Sequence, residues 1–386
     1  MDTMKNKSQD NLSLDNPEPA IPARWFRSVG DGSGQTDSPN FYREEIQLAL
    51  RNRGMPLEAL RYPITPTGLH YLLVHYDIPE VDPGQWRLKV EGLVGKPLEL
   101  SLEAIRRRPA KTLAVTMECA GNGRTLLSPR RISQPWQLEA IGTAEWTGTS
   151  LRDFLNEAGV NPEAVEVVFT GLDQGVEGGL EQAYQRSLSI QDANRAEVLL
   201  VYEMNGEPLP PQHGYPVRLL VPGWYGMASV KWLERIEAVA EPFQGYQMAR
   251  AYRYIASPGE AGEPVTLIRE RALMIPPGVP DFLTRTRVVH AGRLTLTGRT
   301  WTGRRGIAKV ELSADGGATW AEAHVGTPLS AYAWSPWTCE WQATPGRYTL
   351  CVRATDVEGN VQPVEQRWNL GGYGNNMAQQ VEVIVE

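Results

Sequence analysis

Residues 309–317 read KVELSADGG. Apolar and polar side chains alternate from Lys309 to Ala314, and the run ends in Asp315-Gly316-Gly317. A two-residue period sends successive side chains to opposite faces of a strand. Asp-Gly tolerates the positive φ angles of a tight hairpin turn. Together they commit the segment to an antiparallel sheet with one dry face. The same texture runs through the last third of the chain. Leu294-Thr295-Leu296 leads to Gly298; Trp337, Cys339 and Trp341 alternate with polar residues; Tyr348, Leu350 and Val352 do so after Pro345-Gly346. Turn signals about every ten residues predict an all-β, immunoglobulin-like sandwich over residues 265–386.

Upstream the pattern is mixed. Residues 41–53, FYREEIQLALRNR, predict a helix with Asn40 as N-cap and Gly54 as terminator. Residues 150–159 predict another, with Leu151, Phe154, Leu155 and Ala158 on one face, Ser150 as cap and Gly159 closing it. Strands are expected at Trp86 to Val90, Leu113 to Met117, Val165 to Phe169, Val198 to Tyr202 and Val217 to Val221. The 37 glycines and 29 prolines, about a sixth of the chain, favour turns and short strands over long helices. The expected class is α+β: a mixed α/β domain over residues 39–258, a linker at ASPGEAGEP (256–264), then the sandwich. Residues 1–38 read as a polar tail or arm.

Partners are bounded by charge and hydropathy. A net charge of −7 is the wrong sign for a nucleic-acid surface. No run of about 18 apolar residues exists to span a membrane. The N-terminal residues lack the apolar core of a signal peptide, which predicts a cytoplasmic protein; a processed periplasmic form would read the same way. Three cysteines cannot build a disulfide framework, and Cys339 and Cys351, on either side of a Thr-Pro-Gly turn, are expected as reduced thiols on neighbouring strands.

Cys119 is different. It follows a predicted strand and opens CAGNGR, where Gly121 and Gly123 let backbone approach a bulky group. Three uses are open: inert packing, a nucleophile served by His213 with Asp173 as orienter, or a thiolate on a soft metal carried by a bound cofactor. A protein-only zinc site lacks paired cysteines. A second segment, residues 205–236, sets His213, Arg218 and Lys231 among Gly214, Gly223 and Gly226. Two cations and an imidazole in a glycine-rich segment suit an anionic ligand, or else Arg218 and Lys231 are solvated strand ends.

CAGNGR (119–124), AIGTAEWTG (140–148), LLVYEMNGEPLP (199–210), HGYPVR (213–218) and VKWLERI (230–236), in that order, resemble the sulfite oxidase family of molybdopterin enzymes. With the C-terminal sandwich, the resemblance covers roughly residues 60–386. Arg367 to Gly372 is similar to the end of that family's dimerisation domain. The resemblance implies that Cys119 is the molybdenum ligand. It implies that Tyr71, His75, Asp173, His213, Arg218, Ser229, Val230 and Lys231 bind molybdopterin. It makes Arg124 a substrate arginine and Tyr252 the tyrosine beside the metal, with Trp301 reaching the pocket from the second domain. It also implies a homodimer, a small anionic or oxo substrate, and a separate electron carrier such as a cytochrome c. No haem module is expected, since five histidines and no spare domain leave no place for one.

The pattern breaks at the anion pocket. Leu73, Gly123 and Ser335 stand where the family carries arginines, leaving Arg124, with Arg250 or Arg304 as candidate substitutes. Each lost charge-assisted hydrogen bond is worth about 1.5–3 kcal/mol. The expected function is oxygen-atom transfer to sulfite or a related, less charged sulfur compound. The alternatives are reduction of an S-oxide or N-oxide on the same cofactor, and a non-catalytic binding protein that has kept the fold.

Overall fold

The computed structural model describes residues 34–386. Most of the expected tail therefore lies outside the described residues. At its end, Gln35–Thr36 pairs antiparallel with Arg130–Arg131.

The N-terminal region is strand-rich, with few helices. One five-stranded sheet runs in the order Glu207–Pro208, Leu199–Met204, Ile141–Ser150, Lys111–Glu118, with Arg218–Leu220 also paired to Leu199–Met204. A second runs Leu98–Leu100, Leu88–Gly92, Leu233–Val239, Glu166–Glu177, Leu180–Ser189. Each expected strand of this region falls in one of these sheets. Their apolar faces meet in a shared core that includes Val90, Phe154, Phe169, Leu200, Leu219 and Ile236.

The helix Leu151–Ala158 buries Leu151, Phe154, Leu155 and Ala158, the face its sequence predicts, and Gly159 closes it at φ 64°. Burying each Leu or Phe side chain contributes roughly 1.5–3 kcal/mol. Ser150 stands at the N-cap but its hydroxyl makes no bond, because the residue is also the last of a strand paired to Leu199. The first helix is shorter than expected, Arg43–Arg51, with Tyr42 and not Asn40 at its N-cap. There Glu45 Oε2 accepts from the Tyr42 N–H at 2.9 Å, and Glu45 is held by Arg130 at 2.7 Å. Asn52, not Gly54, ends it.

The C-terminal region is all strand. Nine strands follow one hydrogen-bonded path: Arg271–Met274, Gly292–Trp301, Ser335–Ala343, Ala321–Val325, Ile307–Ser313, Gly346–Asp356, Gln379–Val385, Arg287–Val289, Val279–Pro280. Ala321–Val325 pairs with Ile307–Ser313 across the Asp-Gly-Gly turn, as its sequence predicts. Leu296, Trp337 and Trp341 from one half pack with Val310, Leu350 and Val383 from the other in a single core. Cys339 and Cys351 are free and buried, but their strands are not hydrogen-bonded neighbours. The two regions meet along Lys111–Glu118: Trp334 N donates to Thr116 Oγ1 at 2.8 Å and Thr116 N to Tyr332 O at 2.9 Å. Among the described residues, no helix is long and apolar enough to cross a membrane.

Candidate active site

Lys111–Glu118 delivers Cys119 to the end of a buried strand. The chain then turns tightly: Asn122 N donates to Cys119 O and Arg124 N to Gly121 O, each at 3.0 Å. Gly123 takes φ 83°, and a Cβ on Gly121 would lie 2.8 Å from the Arg124 guanidinium carbon. The two glycines let the loop fold back so that Arg124 lies against it. Burial pushes the Cys119 thiol pKa up, against the pull of Arg124. A buried thiol of raised pKa is a poor nucleophile; a soft metal is what ionises it. Cys119 lies between two cavities and lines both.

The first cavity is cationic. Arg218 donates to His213 O and Ser229 O at 3.0 Å, and Lys231 Nζ donates to Leu73 O at 2.7 Å. His70, Tyr71, Asp173, Tyr184, His213 and Ser229 add to its polar wall, with His75 and Tyr252 shared with the second cavity. Burial lowers Arg218 to about 10 and, aided by Arg218, Lys231 to about 7; it raises Asp173 to about 6 against Lys231. His213 is pushed down to about 2 by burial and by neighbouring cations.

Four polar groups on this wall are buried without a partner: His70 Nε2, Asp173 Oδ1, His213 Nε2 and Arg218 Nε. Buried polar atoms are rarely left orphaned, so the wall is built for a polar ligand, to which Arg218 Nε can donate and from which Asp173 Oδ1 can accept. Glycines bring backbone close, since a Cβ on Gly226 would fall 2.3 Å from Tyr71 Oη. Among the described residues, no three His, Cys, Asp or Glu side chains converge on a metal. A metal on Cys119 must therefore arrive with most of its ligands already supplied, as it does in molybdopterin. The donor set fits that group.

The second cavity also borders Cys119. Arg124 lines it, buried, with Nη1 donating to Ser133 Oγ at 3.2 Å and Gln134 O at 3.3 Å, and its guanidinium 5.2 Å from the Tyr373 ring. Tyr252 holds φ 51°, a left-handed backbone for a bulky residue that costs about 1–3 kcal/mol. Its hydroxyl lies 2.8 Å from His75 Nε2. Burial lowers His75 to about 4 and raises the Tyr252 phenol, so at neutral pH the imidazole is neutral and the phenol keeps its proton.

Other expected residues lie away from the two cavities. The Val230 side chain packs in the hydrophobic core and lines neither cavity. Trp301 stops short of both; its indole N–H donates to Glu118 Oε2 at 2.8 Å. Arg304 is committed to Asp192 at 2.8 Å, and Arg250 is exposed and lines neither cavity. The hydrolase arrangement is not formed, since His213 Nε2 and Asp173 Oδ1 both lack partners.

Other residues emerge only in the fold. His70 lines the first cavity, and Tyr373 and Glu177 the second. Glu118 is fully buried and binds Arg271 at 2.9 Å and Asn122 Nδ2 at 3.1 Å, besides Trp301. In the sequence it reads as the polar end of a strand.

Residues 75–247 match the oxidoreductase molybdopterin binding domain family, and residues 279–386 the Mo-co oxidoreductase dimerisation domain family. The mitochondrial sulfite oxidase of Mus musculus is 35% identical over 341 residues, covering 83% of this chain. The chain spans only 62% of that relative's length. The sulfite oxidase of Arabidopsis thaliana is 34% identical over 347 residues, 81% of this chain and 86% of that one. Among solved structures, the sulfane dehydrogenase SoxCD from Paracoccus pantotrophus superposes with a TM-score of 0.74 at 25% identity, covering 98% of this chain and 96% of that one.

Proposed function

The chain belongs to the sulfite oxidase family of molybdopterin oxidoreductases, and from that premise we propose that it adds an oxygen atom to sulfite or a related sulfur compound and passes two electrons to a separate acceptor such as a cytochrome c. The observation that carries this reading is the position of Cys119 between a cation-rich cavity and a cavity holding Arg124 and Tyr252.

A molybdenum–molybdopterin group bound in the first cavity would supply the two-electron oxygen transfer. Cys119 would be the protein's own ligand to the metal. Arg218 and Lys231 would neutralise the pterin phosphate, while Tyr71, Asp173, His213 and Ser229 would meet its polar atoms and Val230 would back the site from the core. Arg124 would draw the anionic substrate toward Cys119. The Tyr252 phenol, fixed by neutral His75, would donate a hydrogen bond to oxygen on the substrate side.

A second reading, reduction of an S-oxide or N-oxide, draws support from the single arginine among the residues lining the substrate cavity. The two are separated on protein of verified molybdenum content. Sulfite or sulfinate oxidation with ferricyanide is the expected result, and Cys119→Ser should abolish it while leaving the unfolding transition close to wild type. Sulfoxide reduction by a reduced dye, with no sulfur oxidation, would favour the second reading. We further propose that residues 39–258 form the catalytic domain and residues 265–386 an immunoglobulin-like dimerisation domain.

A further inference from the structure

The substrate cavity carries a carboxylate as well as an arginine. Glu177 ends the strand Glu166–Glu177, just before Gly178-Gly179 turn the chain at φ 60° and 79°. Its Oε2 accepts from Gln247 Nε2 at 2.8 Å and from Tyr76 Oη at 3.3 Å. Gln247 is buried, and a Cβ on Gly175 would stand 2.3 Å from the Tyr76 ring, so the strand is shaped to seat the tyrosine that holds Glu177. The carboxylate is thus fixed in place. Arg124 lines the same cavity, with Nε buried and unpartnered. Trp136, Tyr252 and Tyr373 give the walls an aromatic character. The volume is about 200 Å3, more than ten times the ~15 Å3 that one trapped water needs.

Such a cavity suits sulfite poorly. A dianion finds one arginine and must tolerate a fixed like charge on the same wall. A molecule with one negative and one positive end satisfies both groups. An organic sulfinate carries a single negative charge and keeps a sulfur lone pair, as sulfite does. We propose that the substrate is a zwitterionic amino-sulfinate, its sulfinate held by Arg124 beside Cys119 and its ammonium by Glu177. The assignment rests on the oxygen-transfer reading above. In the reaction the sulfinate sulfur gains one S–O bond, with the oxygen derived from water. Two protons are released and two electrons leave to one-electron acceptors. No bond to sulfur breaks, and the product is the amino-sulfonate.

The test uses cofactor-loaded, full-length protein. 2-Aminoethanesulfinate, ethanesulfinate and sulfite are compared as substrates with ferricyanide. Binding of 2-aminoethanesulfonate and ethanesulfonate is measured separately by calorimetry. The expected result is a preference of at least about tenfold for the ammonium-bearing member of each pair, the scale of one charge-assisted contact. Glu177→Gln should bring both ratios close to one and lower the KM for sulfite; Glu177→Asp should keep part of the preference. Equal use of the two sulfinates, or a preference that survives Glu177→Gln, overturns the assignment. Rapid oxidation of sulfite alone also overturns it but leaves the oxygen-transfer reading standing. If loaded protein oxidises no sulfur compound, the oxygen-transfer reading falls. The sulfonate ratio and its response to Glu177→Gln then still decide whether Arg124 and Glu177 form a charge-pair site.

Discussion

Lys231 shows how strongly burial in the first cavity acts on a cation. Burial and Arg218 pull it down to about 7 from an ordinary 10.5, while Asp173 alone opposes them. Between those two values the folded chain binds fewer protons at this site than the unfolded chain. Stability of the cofactor-free protein should therefore rise with pH across that window, and the penalty for holding the lysine charged should be largest below it. Asp173 acts with the opposite sign in a lower window: it is raised from 3.8 to about 6, so its contribution falls as pH climbs between those values. An anion bound in the cavity favours charged Lys231 and should flatten the upper rise. Melting temperature against pH for cofactor-free wild type and Lys231→Met tests this. The variant should lose most of the increase above pH 7, and inorganic phosphate should stabilise wild type more than the variant. Equal slopes in the two proteins would refute the assignment of the upper window to Lys231.

At the level of elements, the loop carrying Cys119 and Arg124 depends on a segment about 250 residues away in sequence. Gly374 N donates to Ala120 O at 2.7 Å, and Asn375 Nδ2 donates to Gly123 O at 2.8 Å. Asn375 is 1% exposed; Asn375→Ala would remove one of two donors to Gly123 O, leaving the Leu126 N–H at 3.1 Å, and would strip the Met377 N–H of the Asn375 Oδ1 that accepts it at 3.2 Å. Loss of the Asn375 hydrogen bond costs about 0.5–1.5 kcal/mol, and the loop is where it would be felt. Asn375→Ala should retain bound molybdenum but raise the substrate KM roughly tenfold, because Arg124 is displaced while Arg218 and Lys231 are not. Loss of metal with no change in KM would mean that the segment supports the first cavity instead. This long-range dependence also marks where reading the sequence stops. The helix Leu151–Ala158 with its closing Gly159, the strand Lys111–Glu118 and the Asp-Gly-Gly hairpin are written in local period and turn chemistry. Asn40 was the better N-cap by residue type, yet Glu45, fixed by Arg130, satisfies the Tyr42 N–H instead. Glu118, Glu177 and Asn375 matter through partners far along the chain, and no local pattern encodes such a meeting. Trp301 belongs with them: the resemblance drew it toward the substrate, whereas its indole is taken by Glu118.

For the whole molecule, the open question is which face joins two copies. Phe282 and Leu283 are 83% and 85% exposed and Val279 is 65% exposed, all close together in the region matching the dimerisation domain. Large exposed apolar clusters mark interaction surfaces. Closed homodimers use the same patch twice, so every residue on it counts double. Two Phe and two Leu side chains buried across such an interface contribute on the order of 6–12 kcal/mol, at roughly 1.5–3 each. Association costs about 4–15 kcal/mol, so these four side chains alone leave a marginal dimer. Its stability must also draw on neighbouring apolar surface such as Val279, and replacing Phe282 and Leu283 should be enough to undo it. The double variant Phe282→Glu, Leu283→Glu places four carboxylates against one another across the two-fold. Sedimentation should find wild type at about twice the 42.9 kDa chain mass and the variant at the chain mass. Neither residue lines either cavity beside Cys119, so the monomeric variant should still bind molybdenum. A variant that stays dimeric would move the interface to another face, and a wild type at the chain mass would remove the dimer altogether.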